Sequence, residues 1–155
     1  MQLFNRLKGV LPNDTQFKSS FAAATVSKAY LARYYLQALE QQNGGENDPE
    51  LVPNPNSEVI NLEHVLPQRP SVAWSQIPAE EQVLLIKKIG NLALMKTRIN
   101  TNAGNDGFTF KKKSYKKSKF KLTSMLAKET KWNRDSIESR QSYLADLAVA
   151  TWPLK

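Results

Sequence analysis

The sequence predicts a mainly α fold holding one short antiparallel β-hairpin surrounded by helices. Three observations predict it. Apolar residues recur at helical spacing over residues 27–41 and again over 133–152. Residues 77–89 carry a full set of helix boundary signals: Pro78 at the first helical position, Glu80 and Glu81 in the first turn, Lys87 and Lys88 in the last, Gly90 just past it. Residues 58–62 and 91–95 read as short strands, which leaves them to pair with each other. At 155 residues and 41% hydrophobic, the chain supports one compact domain over 1–155.

The elements follow in order. Leu3, Leu7 and Val10 share a helical face, Pro12-Asn13 breaks it, and Asp14 offers an N-cap for a helix over 15–25 with Phe17, Phe21 and Ala24 on one side. In 27–41 the stripe is Leu31, Tyr35, Ala38 and Leu39, stopped by Gly44-Gly45. Tyr30, Tyr34 and Tyr35 could stack on bases, but aromatics at helical spacing are more often core, and they are assigned to packing. These residues, 1–41, form a helical lead-in. The stretch 42–57 is a loop, rich in Asn and Gly and interrupted by Pro49, Pro53 and Pro55. Residues 58–62 then deliver Glu63 and His64 to a strand end, and Pro67 forbids further ladder pairing. After Pro70 an irregular stretch contains Trp74. Residues 96–103 begin a helix carrying Asn100, with Gly104 ending it. The last helix has Asn133 as N-cap, with Ile137, Leu144, Leu147, Ala148 and Trp152 along one face, and Pro153 stops it.

The formal charge of +8 is not spread evenly. Residues 101–131 hold nine bases against two acids, and the other segments are close to neutral. Within 108–121, seven lysines are interleaved with Phe108, Phe110, Tyr115 and Phe120. A concentrated basic block implies a polyanionic partner, with Lys111, Lys112, Lys113, Lys116, Lys117 and Lys119 as phosphate contacts and the aromatics as anchors. The alternative is a solvated lysine-rich face. Cysteine is absent, which excludes disulfides, thiolate zinc sites and cysteine nucleophiles, so no structural zinc is expected. No apolar run approaches a membrane span and residues 1–6 lack a signal-peptide core, so no membrane association and a cytoplasmic location are expected.

Chemistry centres on Asn61-Leu62-Glu63-His64-Val65-Leu66-Pro67, which contains the only histidine. Hydrolysis of a phosphodiester needs a base to activate water and positive charge on the phosphoryl oxygens. His64 titrates near neutral pH and can take the proton. Glu63 and Asn100 offer oxygen ligands, and Mg²⁺ typically takes only one or two from a protein. Asn91, in Gly90-Asn91-Leu92-Ala93-Leu94, would brace the His64 loop through backbone hydrogen bonds. Singly these signals are weak: a lone histidine is more often structural, and Asn100 could be a cap.

At these residues, with Asn100 nine positions after Asn91, the chain resembles the His-Asn-His (HNH) endonucleases of the ββα-metal, or His-Me finger, superfamily. In particular it looks like the C-terminal nuclease domain of GmrSD-type, modification-dependent restriction enzymes. The likeness extends through Phe108, Lys111, Tyr115 and Ser118, into Trp132, Ile137, Arg140, Leu144 and Trp152, and back to residues 34–40. The resemblance implies a ββα-metal core with the site and basic segment in 58–121, and metal-dependent DNA cleavage in restriction or phage defence. It implies His64 as general base, Asn91 as loop support, Glu63 and Asn100 as ligands of Mg²⁺ or Mn²⁺, and Lys111 as a phosphate contact. The chain departs from much of the superfamily in lacking cysteine-bound zinc and a final histidine, and it has Glu63 where aspartate is usual. Arg140, between apolar positions, is expected to form a structural ion pair.

DNA is the expected partner, with RNA left open. The resemblance also implies an N-terminal nucleotide-hydrolysing domain or partner protein, and a double-strand break would take a homodimer or two visits. Two rivals remain. A non-catalytic basic module that keeps the fold and grips nucleic acid explains the lysines, but does not need Glu63, His64, Asn91 and Asn100 together. A helical adaptor for an acidic protein leaves the acid-His loop unexplained.

Overall fold

In the computed structural model, residues 10–44, 60–96 and 106–153 are described. They form α1 (Asp14–Ala23), α2 (Ala29–Gln42), β1 (Ile60–His64), α3 (Ala79–Leu85), β2 (Leu92–Lys96), α4 (Phe108–Tyr115), α5 (Lys121–Ser124) and α6 (Arg134–Thr151). Short 3₁₀ turns lie at Val72–Trp74, Ile89–Asn91 and Met125–Lys128. The fold is mainly helical around a two-stranded antiparallel sheet, with pairs running from Ile60 opposite Lys96 to His64 opposite Leu92. The strands are not joined by a tight turn. Residues 65–91, with α3 among them, connect β1 to β2. None of the described helices is long and apolar enough to cross a membrane.

The hairpin is buried on both faces, and its period of two sorts the core. Ile60, Leu92 and Leu94 join Phe21, Ala32, Leu36, Leu39, Leu144 and Ala148 in one cluster. Ala93 and Met95 face the other way, into a cluster of Val65, Leu66, Trp74, Tyr115, Trp132 and Ile137. Leu92–Met95 therefore reads as an unbroken apolar run, because each of its faces is covered.

Several boundaries differ from expectation for identifiable reasons. Asn13, not Asp14, caps α1, because its side chain and that of Gln16 form a reciprocal capping box. In α2 the buried stripe is Ala32, Leu36 and Leu39. Tyr30 and Tyr34 are exposed, although Tyr34 still touches the rings of Tyr35 and Trp152. The helix expected over 77–89 is shorter: Pro78 is its N-cap, and it ends at Leu85. Lys87 and Lys88 instead pair with Val26 and Thr25, so the chain is extended there. Phe110 is 48% exposed, whereas Phe108, Tyr115 and Phe120 are buried. Trp152 follows α6 as its C-cap. The readings at Leu3, Leu7, 45–59 and 97–105, including the helix carrying Asn100, fall outside the described residues.

Gly90 does not end a helix. It sits in the Ile89–Asn91 turn, where a Cβ would lie 2.4 Å from the carbonyl oxygen of Ile137 and 2.9 Å from the amide nitrogen of Gln141. Only glycine lets this turn lie against the backbone of α6. Two α6 side chains fasten the contact: Gln141 accepts from the Gly90 N–H, and Arg140 Nη1 donates to the carbonyls of Gly90 and Leu92, each at 2.7 Å. Arg140 is thus structural, but its partners among the described residues are carbonyls instead of the expected carboxylate. Burial lowers its pKa to about 10.

Candidate active site

β1 ends at His64, and three consecutive residues there have three different fates. Glu63 is buried, on the face opposite Leu62. His64 follows and is partly buried, at the strand end. Val65 and Leu66 are fully buried and tether the loop to the core.

Asn91 clasps that loop. Its side-chain Oδ1 accepts from Leu66 N–H at 2.8 Å, its Nδ2 donates to Leu66 O at 3.0 Å, and its main-chain carbonyl accepts from Val65 N–H at 3.0 Å. The same Oδ1 accepts from Trp132 Nε1 at 3.1 Å, and Nδ2 also reaches Ile86 O. A single buried amide thus fills its hydrogen-bonding capacity by joining the His64 loop to β2, α3 and the approach to α6.

The imidazole meets Gln68, whose Nε2 lies 3.2 Å from His64 Nε2. Burial lowers the His64 pKa to about 4, and the charge of Lys111 pushes it the same way. The ring is therefore neutral at pH 7.

Glu63 and Lys111 overturn two sequence expectations together. Lys111 is 0% exposed. Its ammonium donates to Glu63 Oε1 at 2.8 Å and to the main-chain carbonyl of His64 at 2.9 Å. Tyr115 OH donates to the same Oε1 at 2.9 Å. Lys111 therefore cannot reach a phosphate, and its charge is spent inside the fold. The Glu63 carboxylate, expected to ligate a metal, is buried with an ammonium already beside it, which opposes the approach of a second cation. Burial raises its pKa above the ordinary carboxylate value, against the pull of Lys111 and Tyr115. Burial also raises the Tyr115 phenol, as does Glu63, so it stays a donor.

No cluster of three or more His, Cys, Asp or Glu side chains that could hold a metal occurs among the described residues. With Glu63 committed, the described donors do not fit a divalent cation. Asn100, the other expected ligand, lies outside them.

The remaining lysines divide by the face of α4 and the turn after it. Lys112 is half-buried, with its ammonium on the Glu129 carbonyl at 2.6 Å and over the Phe108 ring. It too is occupied, contrary to its expected role at phosphate. Lys113, Lys116, Lys117 and Lys119 are exposed. The sequence reading turned Tyr115 inward as an anchor but Lys111 outward, although a signal for Lys111 exists: Phe108, Lys111 and Tyr115, at spacings of three and four, form one buried stripe of α4 with lysine at a core position.

Compared with known proteins, the chain finds no match among curated ones. Its residues 11–147 do match the family model of the C-terminal domain of GmrSD restriction endonucleases. That span takes in β1, the Asn91 clasp, the lysine helix and most of α6, so the chain belongs to the GmrSD restriction endonuclease C-terminal domain family, the nuclease end of those enzymes.

Proposed function

We propose that this chain is an HNH-type DNA endonuclease, dependent on Mg²⁺ or Mn²⁺, that hydrolyses phosphodiester bonds as the nuclease domain of a cytoplasmic restriction system directed at foreign DNA. One observation carries the reading: the strand end bearing the only imidazole of the chain is held by Lys111 and Asn91, and the ring's Nε2 faces Gln68, an exposed side chain that water can replace. In the proposed reaction His64 Nε2 takes a proton from water as the water oxygen bonds to phosphorus. The bond from phosphorus to the 3′ oxygen breaks, leaving a 5′ phosphate, and the 3′ oxygen takes its proton from solvent. Asn91 keeps the loop in register. Lys113, Lys116, Lys117 and Lys119 hold the DNA backbone as exposed cations. Asn100 remains a proposed ligand of the ion. A nucleotide-hydrolysing domain, on this chain or a partner, would set target choice, and paired cuts would come from a dimer or successive visits.

The commitment of Glu63 to Lys111 favours a second reading, a basic module that binds nucleic acid without cutting it. Nicking of supercoiled plasmid separates the two, with wild type and His64→Ala compared in Mg²⁺, Mn²⁺ or EDTA over a salt series. The nuclease reading expects metal-dependent nicking in the wild type, abolished in His64→Ala while DNA binding persists. Salt-sensitive binding with no cleavage in either metal would leave the binding module standing.

A further inference from the structure

Resting on the nuclease reading, we infer that Lys111 and Tyr115 are positioning residues for His64: from one face of α4 they hold the Glu63 carboxylate and the His64 backbone, and so fix where the imidazole stands. The argument is geometric. Lys111 Nζ bonds two acceptors one residue apart in the chain, Glu63 Oε1 and His64 O. Tyr115, one helical turn on, completes the grip at Glu63 Oε1. No side-chain nitrogen or oxygen buried in the described fold lacks a partner, so the network is closed. A fully paired network in a dry interior has one arrangement, and a half-paired one is costly.

Position matters at this point. His64 is the last residue of β1, past which the ladder ends, and its own side chain meets only the exposed Gln68 among the described hydrogen bonds. The ring therefore inherits its place from its backbone, and that backbone is held at the His64 carbonyl by Lys111 and one residue on by Asn91. Asn91 governs the exit of the strand, and the Lys111–Tyr115 pair governs the catalytic residue itself. Lysine suits the task because three hydrogens on one nitrogen serve a carboxylate and a carbonyl together. A phosphate-binding lysine would need exposure, which Lys111 lacks.

The test compares wild type with Lys111→Met, Tyr115→Phe, Lys117→Met and Leu36→Ala. Three quantities are read: single-turnover cleavage of a labelled duplex at saturating protein with Mg²⁺ or Mn²⁺, DNA affinity over a salt series, and the ring NMR signals of His64, unambiguous because the chain has one histidine. Lys111→Met should slow cleavage roughly tenfold or more, as displacement of a catalytic group does, keep the affinity and salt slope of the wild type, and move the His64 signals. Tyr115→Phe keeps its ring and the lysine contact, so it folds and shows the same pattern in lesser degree, deciding the matter should Lys111→Met not fold. Lys117→Met should flatten the salt slope by about one and leave the His64 signals unmoved. Leu36→Ala, on the far side of the sheet, should lose stability without moving those signals. The inference is overturned by wild-type cleavage and unmoved His64 signals in Lys111→Met or Tyr115→Phe, or by a Lys111→Met defect lying wholly in affinity and salt slope. Should the wild type cleave no DNA, the nuclease reading fails on that result alone. The His64 signals of the two α4 variants then still decide the positioning role, supported if they move and overturned if they do not.

Discussion

The two faces of the hairpin back onto interiors of different kinds. On one side Ile60, Leu92 and Leu94 pack on Leu36, Leu39, Leu144 and Ala148, and buried polar side chains such as Thr123, Glu40 and Gln141 bind backbone. Glu40 accepts from the first amides of α5, Lys121 and Leu122, and Gln141 holds the carbonyls of Phe21 and Ala24. On the other side Ala93 and Met95 meet Trp74, Tyr115 and Trp132, and there polar side chains bind one another: Lys111 to Glu63, Tyr115 to Glu63, Trp132 to Asn91. The first arrangement holds helices on a sheet. The second fixes individual side chains around His64, which hydrophobic packing alone does not specify.

If this division holds, equal losses of stability should have unequal effects on catalysis. Trp132→Ala and Leu36→Ala each empty a fully buried site, at about 3–5 and about 2–5 kcal/mol respectively. Chemical denaturation should find both destabilised. Single-turnover cleavage at a temperature where both remain folded should find only Trp132→Ala slow, because it unseats Asn91 as well as leaving a hole. Equal cleavage rates in the two would break the comparison.

Asn91→Ala sharpens it without a large cavity. The Leu66 N–H and Trp132 Nε1–H lose their acceptor in a dry site, at about 1–3 kcal/mol for each donor left unpaired. A total of roughly 2–6 kcal/mol, read as a fall in Tm, should accompany nearly complete loss of nicking. Retained nicking would mean that the His64 loop holds its place without the clasp.

The scaffold side was the more legible in the sequence. Helical stripes place α2 and α6 to within a few residues, and Leu144 and Ala148 lie where periodicity puts them. The strands were legible as well, including their pairing. What periodicity cannot show is which polar residue is turned inward. Lys111 stands in a run of three lysines, and composition reads all three alike, as phosphate contacts. Only the stripe through Phe108 and Tyr115 distinguishes it, and the energy of burying it comes from Glu63, 48 residues away in sequence. Gly90 likewise reads as a helix terminator until α6 is seen against it. Asn91 was legible because its role is local in kind, an amide holding a loop, even though its partners are distant.

The pH response should divide along the same line. The folded pKa of His64 lies below its ordinary value, at about 4. The unfolded chain therefore binds the proton more readily, so the stability tied to a neutral ring is complete above about pH 6.5 and is lost as pH falls towards 4. Glu40 and Glu63 are raised instead, so each works against stability as pH climbs through its folded value, and acidification relieves both. Subtracting the stability of His64→Ala from that of the wild type at each pH isolates the histidine. Allowing for its partial exposure, the difference between pH 7 and pH 4 should be roughly 2 kcal/mol. A flat difference would place the ring in water and remove the case for a neutral base held by its surroundings.

The smallest effect on stability belongs to the outer face of α4 and the turn after it, where the site side meets solvent. Lys113 lies over the Phe110 ring, and Lys116 and Lys117 are exposed. Replacing any one by alanine should change stability by no more than about 0.5 kcal/mol. Each that contacts phosphate should nevertheless lower the slope of log affinity against log salt by about one, with loss of DNA binding that grows as salt is raised. Lys111→Met, one turn away on the same helix, should show the opposite pair of effects: a large fall in stability, because the Glu63 carboxylate is left unpaired in the interior, and an unchanged slope. Measured together, denaturation midpoints and salt slopes sort the lysines of α4 into those that hold the protein and those that hold the substrate, a division that their shared charge conceals.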